Sequence, residues 1–479
     1  MQPPTPQALP AQPSVVPQIP VQQAPSLAVQ PVIQTSSATN ELPSSASAGA
    51  VHADKAVGAP GSTNELLLAA TRGDRVAQYR LAQASDQGLG VPTNAVEAVN
   101  WYRTAAEQGY AEAKFKLGTL LHSGGDGLAR DEAGAVSWYR KAADQGFAGA
   151  EFALGICYGH GEGVPTNIQM AVQWIEKAAE QGLPRAQYLT GKAYEKGFGV
   201  ERDPEQAVAW YRKAAENGSV EGQLWFGMAF LKGQGTNEDL VAATNWIYKA
   251  VNTGSAIAQY QLGLLLIAGQ ELAPNRGEGI HWMLEAARLG NADAQYQVAS
   301  FYAKGEGVPQ GDTESFNWCR RAAAQDSPVA EETLAGMYAD GKGVEKDPSE
   351  SARWMRRAAE HGSPSAQFNI GLSYAMGNGH PKDIAEAVRW FRLAAEQGST
   401  DGQNSLGYAY ATGTGVPQDL AEAYKWYSLA VADGNLHAEV NLRSLLPRLT
   451  EEQISMGKAR ASLYSPRTSD ERSDPVEFK

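Results

Sequence analysis

Ala186-Gln-Tyr188-Leu-Thr-Gly191-Lys-Ala-Tyr194, then Gly197-Phe-Gly199-Val200, Asp203-Pro204 and Ala207-Val-Ala-Trp210-Tyr211-Arg-Lys-Ala214-Ala215-Glu-Asn-Gly218: this stretch decides the fold. Its first block carries apolar residues at three- and four-residue steps, the period of an amphipathic helix (helix A). Gly197 and Gly199 then punctuate a tight turn. Asp203 before Pro204 predicts a second helix start, because a carboxylate accepts from free N–H groups and proline at the first helical position loses no bond. Helix B then runs to Gly218, placed where a left-handed cap excludes a Cβ.

The same devices recur in phase along the chain. Ten of the eleven tryptophans, Trp101, Trp138, Trp174, Trp210, Trp246, Trp282, Trp318, Trp354, Trp390 and Trp426, stand 36 residues apart after a first step of 37. The helix-B N-cap recurs as Asp131, Asn167, Asp203, Asp239, Asn275, Asp347, Asp383 and Asp419. The closing glycine recurs as Gly109, Gly146, Gly182, Gly218, Gly254, Gly290, Gly362, Gly398 and Gly434. A small pair follows the register tryptophan by four and five residues in most repeats, as in Ala142-Ala143, Ala178-Ala179 and Ala358-Ala359, letting helices approach while the indole fills the space beside them. A fixed period in this range marks an array whose units bury their apolar faces only by stacking.

Counting the unit of Trp101 as the first, three repeats depart from the pattern. Repeat two has an extra loop residue in Gly124-Gly-Asp-Gly127, which gives the 37-residue step; repeat six lacks its second loop glycine in Gly269-Gln-Glu-Leu272; repeat seven ends in Asp326 where glycine is expected.

The ends read as caps. Leu66-Leu-Leu-Ala69-Ala70 and Gly73 form a half-unit, helix B only. At the other end His437 to Leu442 begins another helix A, Pro447 breaks it, and Thr450-Glu-Glu-Gln453 is a capping box that opens a last helix to about Leu463. The expected organisation is therefore a disordered segment over 1–62, a solenoid over 63–446, a capping helix over 447–464 and a flexible charged tail over 465–479. Residues 1–62 hold eleven of the twenty-five prolines and no aromatic residue, so they cannot bury enough apolar surface to offset their ordering entropy.

The run Ala-x-x-x-Leu-Gly-x-x-Tyr-x-x-Gly-x-Gly-Val, then Asp, then Ala-x-x-Trp-Tyr-x-x-Ala-Ala-x-x-Gly resembles the Sel-1-like repeat family, relatives of the tetratricopeptide repeat. The clearest copies are Ala150 to Gly182, Ala186 to Gly218 and Ala366 to Gly398. The resemblance implies an all-α, right-handed superhelical α-solenoid of about ten helix–turn–helix repeats that assembles protein complexes. The near-identity of successive repeats suggests a bacterial chain.

Charge and composition narrow the partner. A net charge of −13 is the wrong sign for a groove that neutralises phosphates, so nucleic acid is not expected. No stretch approaches the roughly 18 apolar residues of a membrane span. Cys157 and Cys319 lie more than four repeats apart and read as free, packed thiols. The start at Met1 shows no signal peptide, which gives a cytoplasmic expectation. The alternatives are the bacterial envelope or periplasm, if the chain is a fragment, and export by a leaderless route.

Chemistry was sought in three places. The Gly-x-Gly pairs, such as Gly161-Glu-Gly163 and Gly341-Lys-Gly343, follow helices and recur with the repeat, unlike a dinucleotide loop. The seven histidines include no metal-binding pair on one helix, and no Cys-x-x-Cys occurs. His122 beside Asp126, and His160 beside Glu162, could form acid–base pairs. A triad also needs a positioned nucleophile, and Cys157, the only nearby candidate for the second pair, reads as a packed thiol beside the Tyr158 core slot. No catalytic residue, cofactor or metal is expected.

The expected function is a non-enzymatic scaffold or adaptor, a monomer with oligomers left open, that binds a protein or peptide on its concave surface. By analogy with tetratricopeptide geometry, three positions of helix A face that side, and most repeats fill them with polar or small residues such as Lys192 and Glu195. In repeats five and six they become Trp225, Met228, Leu231, Leu264 and Ile267, and Trp225 is the one tryptophan outside the register. These five are the expected contact residues, since Trp anchors often dominate binding energetics. Two alternatives stay open: a secreted effector that uses residues 1–62 as an export tail to reach a host protein, and a hydrolase without a recognisable motif.

Overall fold

The computed structural model describes residues 63–125, 127–269, 274–379 and 381–466. The expectations for residues 1–62, for Asp126, for most of the Gly269–Leu272 loop and for the tail beyond 466 fall outside these. Among the described residues there are twenty-three α-helices, one 3-10 turn at Leu446–Arg448 and no strand beyond an isolated bridge between Gly125 and Leu128. Each repeat is a pair of antiparallel helices, as in Pro184–Lys196 and Pro204–Glu216 of repeat four, and the pairs stack in a solenoid arrangement.

Local chemistry sets the boundaries. Every expected helix-B N-cap accepts from backbone N–H groups; Asp203, for example, takes Glu205 N and Gln206 N at 3.0 Å each. The nine closing glycines all adopt positive φ, and Asp326 takes φ 61° in the place of the tenth, alone among described non-glycine residues. The last helix, Glu451–Ser462, opens with a complete capping box from Thr450 and Gln453.

Helices A and B of one repeat approach closely because helix A carries a glycine beneath a helix-B ring. A Cβ on Gly191 would stand 2.6 Å from the Tyr211 ring, and Gly118 and Gly407 meet Tyr139 and Tyr427 in the same way. The register tryptophans then seal the junction behind them. Trp210 is buried in a cluster with Phe152, Ile175, Ala178 and Ala179 of repeat three. A basic residue three positions on covers the indole face: Lys141 over Trp138 at 3.8 Å, Lys177 over Trp174 at 3.9 Å and Lys213 over Trp210 at 3.7 Å. One aliphatic cation thus screens the outer face of a ring whose inner face is dry.

A ladder of amides runs through the same junctions. In several repeats the fourth residue of helix A is a buried glutamine whose Nε2 donates to a helix-B carbonyl of the preceding unit: Gln78 to Ala70 at 3.0 Å, Gln187 to Ala179 at 3.1 Å, Gln295 to Ala287 at 3.0 Å and Gln367 to Ala359 at 3.1 Å. Repeats two and three carry Lys114 and Glu151 there instead. The glutamine Oε1 accepts from the amide that ends helix B of its own repeat, as Gln187 does from Asn217 at 2.9 Å and Gln367 from Gln397 at 2.7 Å. In repeat eight the pair becomes Glu331 and His361, with Nδ1 2.8 Å from the carboxylate and Arg357 Nε 2.7 Å from it. Such bonds fix register because a buried amide left unpaired costs about 1–3 kcal/mol.

The ladder is interrupted in repeats five and six, and again in repeat ten. Gln223 Oε1, Gln259 Oε1 and Gln403 Oε1 are buried with no hydrogen-bond partner among the described residues, and the position of the closing amide is taken by Thr253, Leu289 and Asp433 in these three repeats. The adjoining helices Leu240–Val251 and Ala256–Ala268 also pack less closely than any other pair of consecutive helices of the array.

Candidate functional site

Just before the first interruption, repeats four and five enclose a cavity of about 370 Å³. Helix A of repeat four contributes its C-terminal Glu195 and Lys196, and the loop that follows contributes Arg202. Helix B supplies Pro204, Ala207, Val208 and Tyr211 as one wall. Helix A of repeat five, Val220–Lys232, supplies Trp225, Met228, Ala229 and Lys232 as the other.

The interior is ordered by one aromatic pair. Tyr211 donates from its hydroxyl to Glu195 Oε2 at 2.7 Å, and its ring stacks with Trp225 at a centroid distance of 6.5 Å. Burial, followed by the Glu195 charge, pushes the Tyr211 phenol far above its ordinary value, so it remains a neutral donor. Arg202 Nε donates to the Glu195 carbonyl at 3.1 Å, which anchors the loop at the mouth. Glu195 is the one carboxylate of the lining and is already engaged, against three cations: Lys196, Arg202 and Lys232. In a chain of net charge −13 this is a local reversal of sign.

The five residues singled out in the sequence do not share one exposed patch. Trp225 and Met228 reach the cavity. Leu231 is buried with Leu224, Ile247 and Leu262 in the core of repeats five and six. Leu264 and Ile267 are half-buried against Ile280, Met283 and Val298. At the Ile267 position helix A meets Gly279, a glycine in helix B where repeat four has the bulkier Ala207, so the apolar side chain sinks into the junction. The basic rim carries no distinctive sequence signal: Lys196 and Lys232 each end a helix A and stand 36 residues apart, so they read as ordinary C-terminal cations.

The lining holds no Ser, Thr, Cys or His side chain. Both cysteines are free and buried. No helix among the described residues is long and apolar enough to cross a membrane.

Comparison with known proteins agrees with this architecture. The family model described as Sel1 repeat matches ten times, at 75–110, 111–147, 148–183, 184–219, 220–255, 256–291, 292–327, 329–363, 364–399 and 400–435. A solved protective antigen of uropathogenic Escherichia coli strains, displaying an SLR fold, is 33% identical over 85% of this chain and 87% of its own, with a TM-score of 0.48. A Sel1 repeat protein from Oxalobacter formigenes is 34% identical over 68% of this chain and 92% of its own, with a TM-score of 0.47. No curated protein matches the chain.

Proposed function

Because the chain belongs to the Sel1 repeat family, whose members are generally protein–protein interaction scaffolds, we propose that it is a scaffold that holds an acidic peptide segment of a partner protein in the cavity between repeats four and five. The observation that carries this reading is the pairing of Trp225 and Met228 with a rim of Lys196, Arg202 and Lys232. An apolar side chain of the partner seats against the indole and thioether, and a neighbouring carboxylate meets the cations. Long-range attraction to the rim speeds encounter, while the desolvated aromatic contact supplies residence time. Pro204, Ala207, Val208 and Ala229 leave room for that side chain beside the Tyr211–Glu195 pair.

Selection from displayed peptide libraries tests the reading, with the intact chain as bait. Acidic sequences containing an aromatic or large aliphatic residue are expected to enrich. Binding is expected to fall by at least about tenfold, or about 1.4 kcal/mol, for Trp225→Ala and for Lys232→Glu. Val241→Asp, at an exposed position of repeat five, serves as the control that keeps affinity. Enrichment of basic peptides, or full binding by a folded Trp225→Ala variant, contradicts the proposal.

A further inference from the structure

A second constellation lies where repeat two, with its extra loop residue, meets repeat three. His122, near the end of helix A of repeat two (Ala111–Ser123), lies with Nε2 3.6 Å from a carboxylate oxygen of Glu162 in the next repeat. Cys157, on helix A of repeat three (Ala148–His160), forms the buried floor beneath them. One ligand atom from each of the three lies within 4.8 Å of the others. His122 Nδ1 is buried and has no hydrogen-bond partner among the described residues. Stacking brings His122 to Glu162 across the repeat junction, a pairing that sequence adjacency did not suggest; the pairing of His122 with Asp126 lies outside the described residues.

The set is not a by-product of the repeat. At the Cys157 position the next repeats carry Ala193, Ala229, Leu265 and Phe301, and at the His122 position they carry Gly159, Glu195 and Leu231. It coincides with the extra residue of the Gly124–Gly127 loop, where Gly125 and Leu128 close a small bridge with N···O distances of 3.0 and 2.8 Å.

We propose that His122, Cys157 and Glu162 bind a thiophilic divalent cation of the Zn²⁺ class, with a fourth position left to solvent. One imidazole, one sulfur and one carboxylate suit zinc, and not the oxygen-loving calcium or magnesium. The charges fit as well. Glu162 and Glu132 contribute two negative charges, Arg130 stands 2.8 Å from Glu132 and 4.0 Å from Glu162, and a Cys157 thiolate brings the local total to minus two. Without a cation, burial and then the Glu162 and Glu132 charges push the Cys157 thiol up to about 12, so it stays protonated at neutral pH. Binding forms a sulfur–metal bond, breaks the S–H bond and releases that proton to solvent. Access runs from the partly exposed His122 and Glu162 side. The bound ion joins helices A of repeats two and three, as a clamp across a stacking junction.

A similar cluster of Asp326, Glu331 and His361 lacks this character, because Arg357 is already paired with both carboxylates. It supplies the control.

Titration of the full chain with Co²⁺, followed by Zn²⁺ competition against a chelator, decides the matter. A thiolate-to-cobalt charge-transfer band at one equivalent is expected, with protons released on binding. Cys157→Ser is expected to abolish the band, and His122→Gln and Glu162→Gln to weaken binding by on the order of tenfold or more. Cys319→Ser and His361→Gln are expected to leave it unchanged. Absence of the band at saturating Co²⁺ overturns the proposal, as does undiminished affinity in Cys157→Ser. If circular dichroism shows that Cys157→Ser does not fold, Glu162→Gln decides alone: unchanged affinity there overturns the site.

Discussion

At the scale of the residue, the register tryptophans carry the junctions. Trp210 is 6% exposed and touches the repeat behind it, so most of its roughly 200 Å² of surface leaves water on folding. At about 25 cal/mol per Å² that burial is worth about 5 kcal/mol. Trp210→Ala is therefore expected to destabilise by about 3–5 kcal/mol, the usual range for truncating a core aromatic. Denaturant melts that move by less than about 1 kcal/mol would place the ring outside the core. The phase of this residue was plain in the sequence because tryptophan is rare and the period strict. Its cation cover was not, since a Lys three positions on reads equally well as a solvated helix face. Trp225 stood out for the opposite reason, as a tryptophan off the period. Leu264 and Ile267 were harder to place, because helical phase says which way a side chain points and not how far the next repeat overlaps it.

At the scale of the element, caps and turns were legible because each is local chemistry: a carboxylate before a free N–H, a glycine where φ is positive. The amide ladder was not, since it joins residues 30 apart, Gln187 with Asn217 for instance, through a contact that exists only after stacking. The same holds for the C-terminal seal, where Arg460 of the last helix reaches Asp419 at 2.9 Å and Glu422 at 3.1 Å. Burial alone would raise the Asp419 carboxyl, but the Glu422 N–H, the Arg460 guanidinium and the Ala421 N–H outweigh it and hold the group below its ordinary 3.8. A depressed folded-state value means that the contribution is complete above the unfolded value and disappears as pH falls through the folded one. The closing helix Glu451–Ser462 is thus expected to loosen below about pH 4, before the interior of the array. Hydrogen exchange along an acid titration measures this, and Arg460→Ala should reduce the difference between pH 7 and pH 3. Equal protection at both pH values in the native chain would show that the seal does not depend on this pair.

At the scale of the whole array, stability in a stack is a sum of unit and nearest-neighbour terms, so a weak junction opens without its neighbours. The interrupted amide ladder and loose packing between repeats five and six mark that junction, one repeat beyond the cavity of Trp225. The repeat architecture followed from periodicity alone, whereas the cavity depends on the sum of Tyr211, Trp225 and a basic rim drawn from three segments. Hydrogen exchange of the intact chain, with and without the acidic peptide that it selects, tests the central claim directly. The account predicts that residues 240–268 exchange faster than equivalent segments of other repeats in the free chain, and that peptide slows exchange chiefly within 195–234. Slowing elsewhere along the array, with 195–234 unchanged, would contradict it.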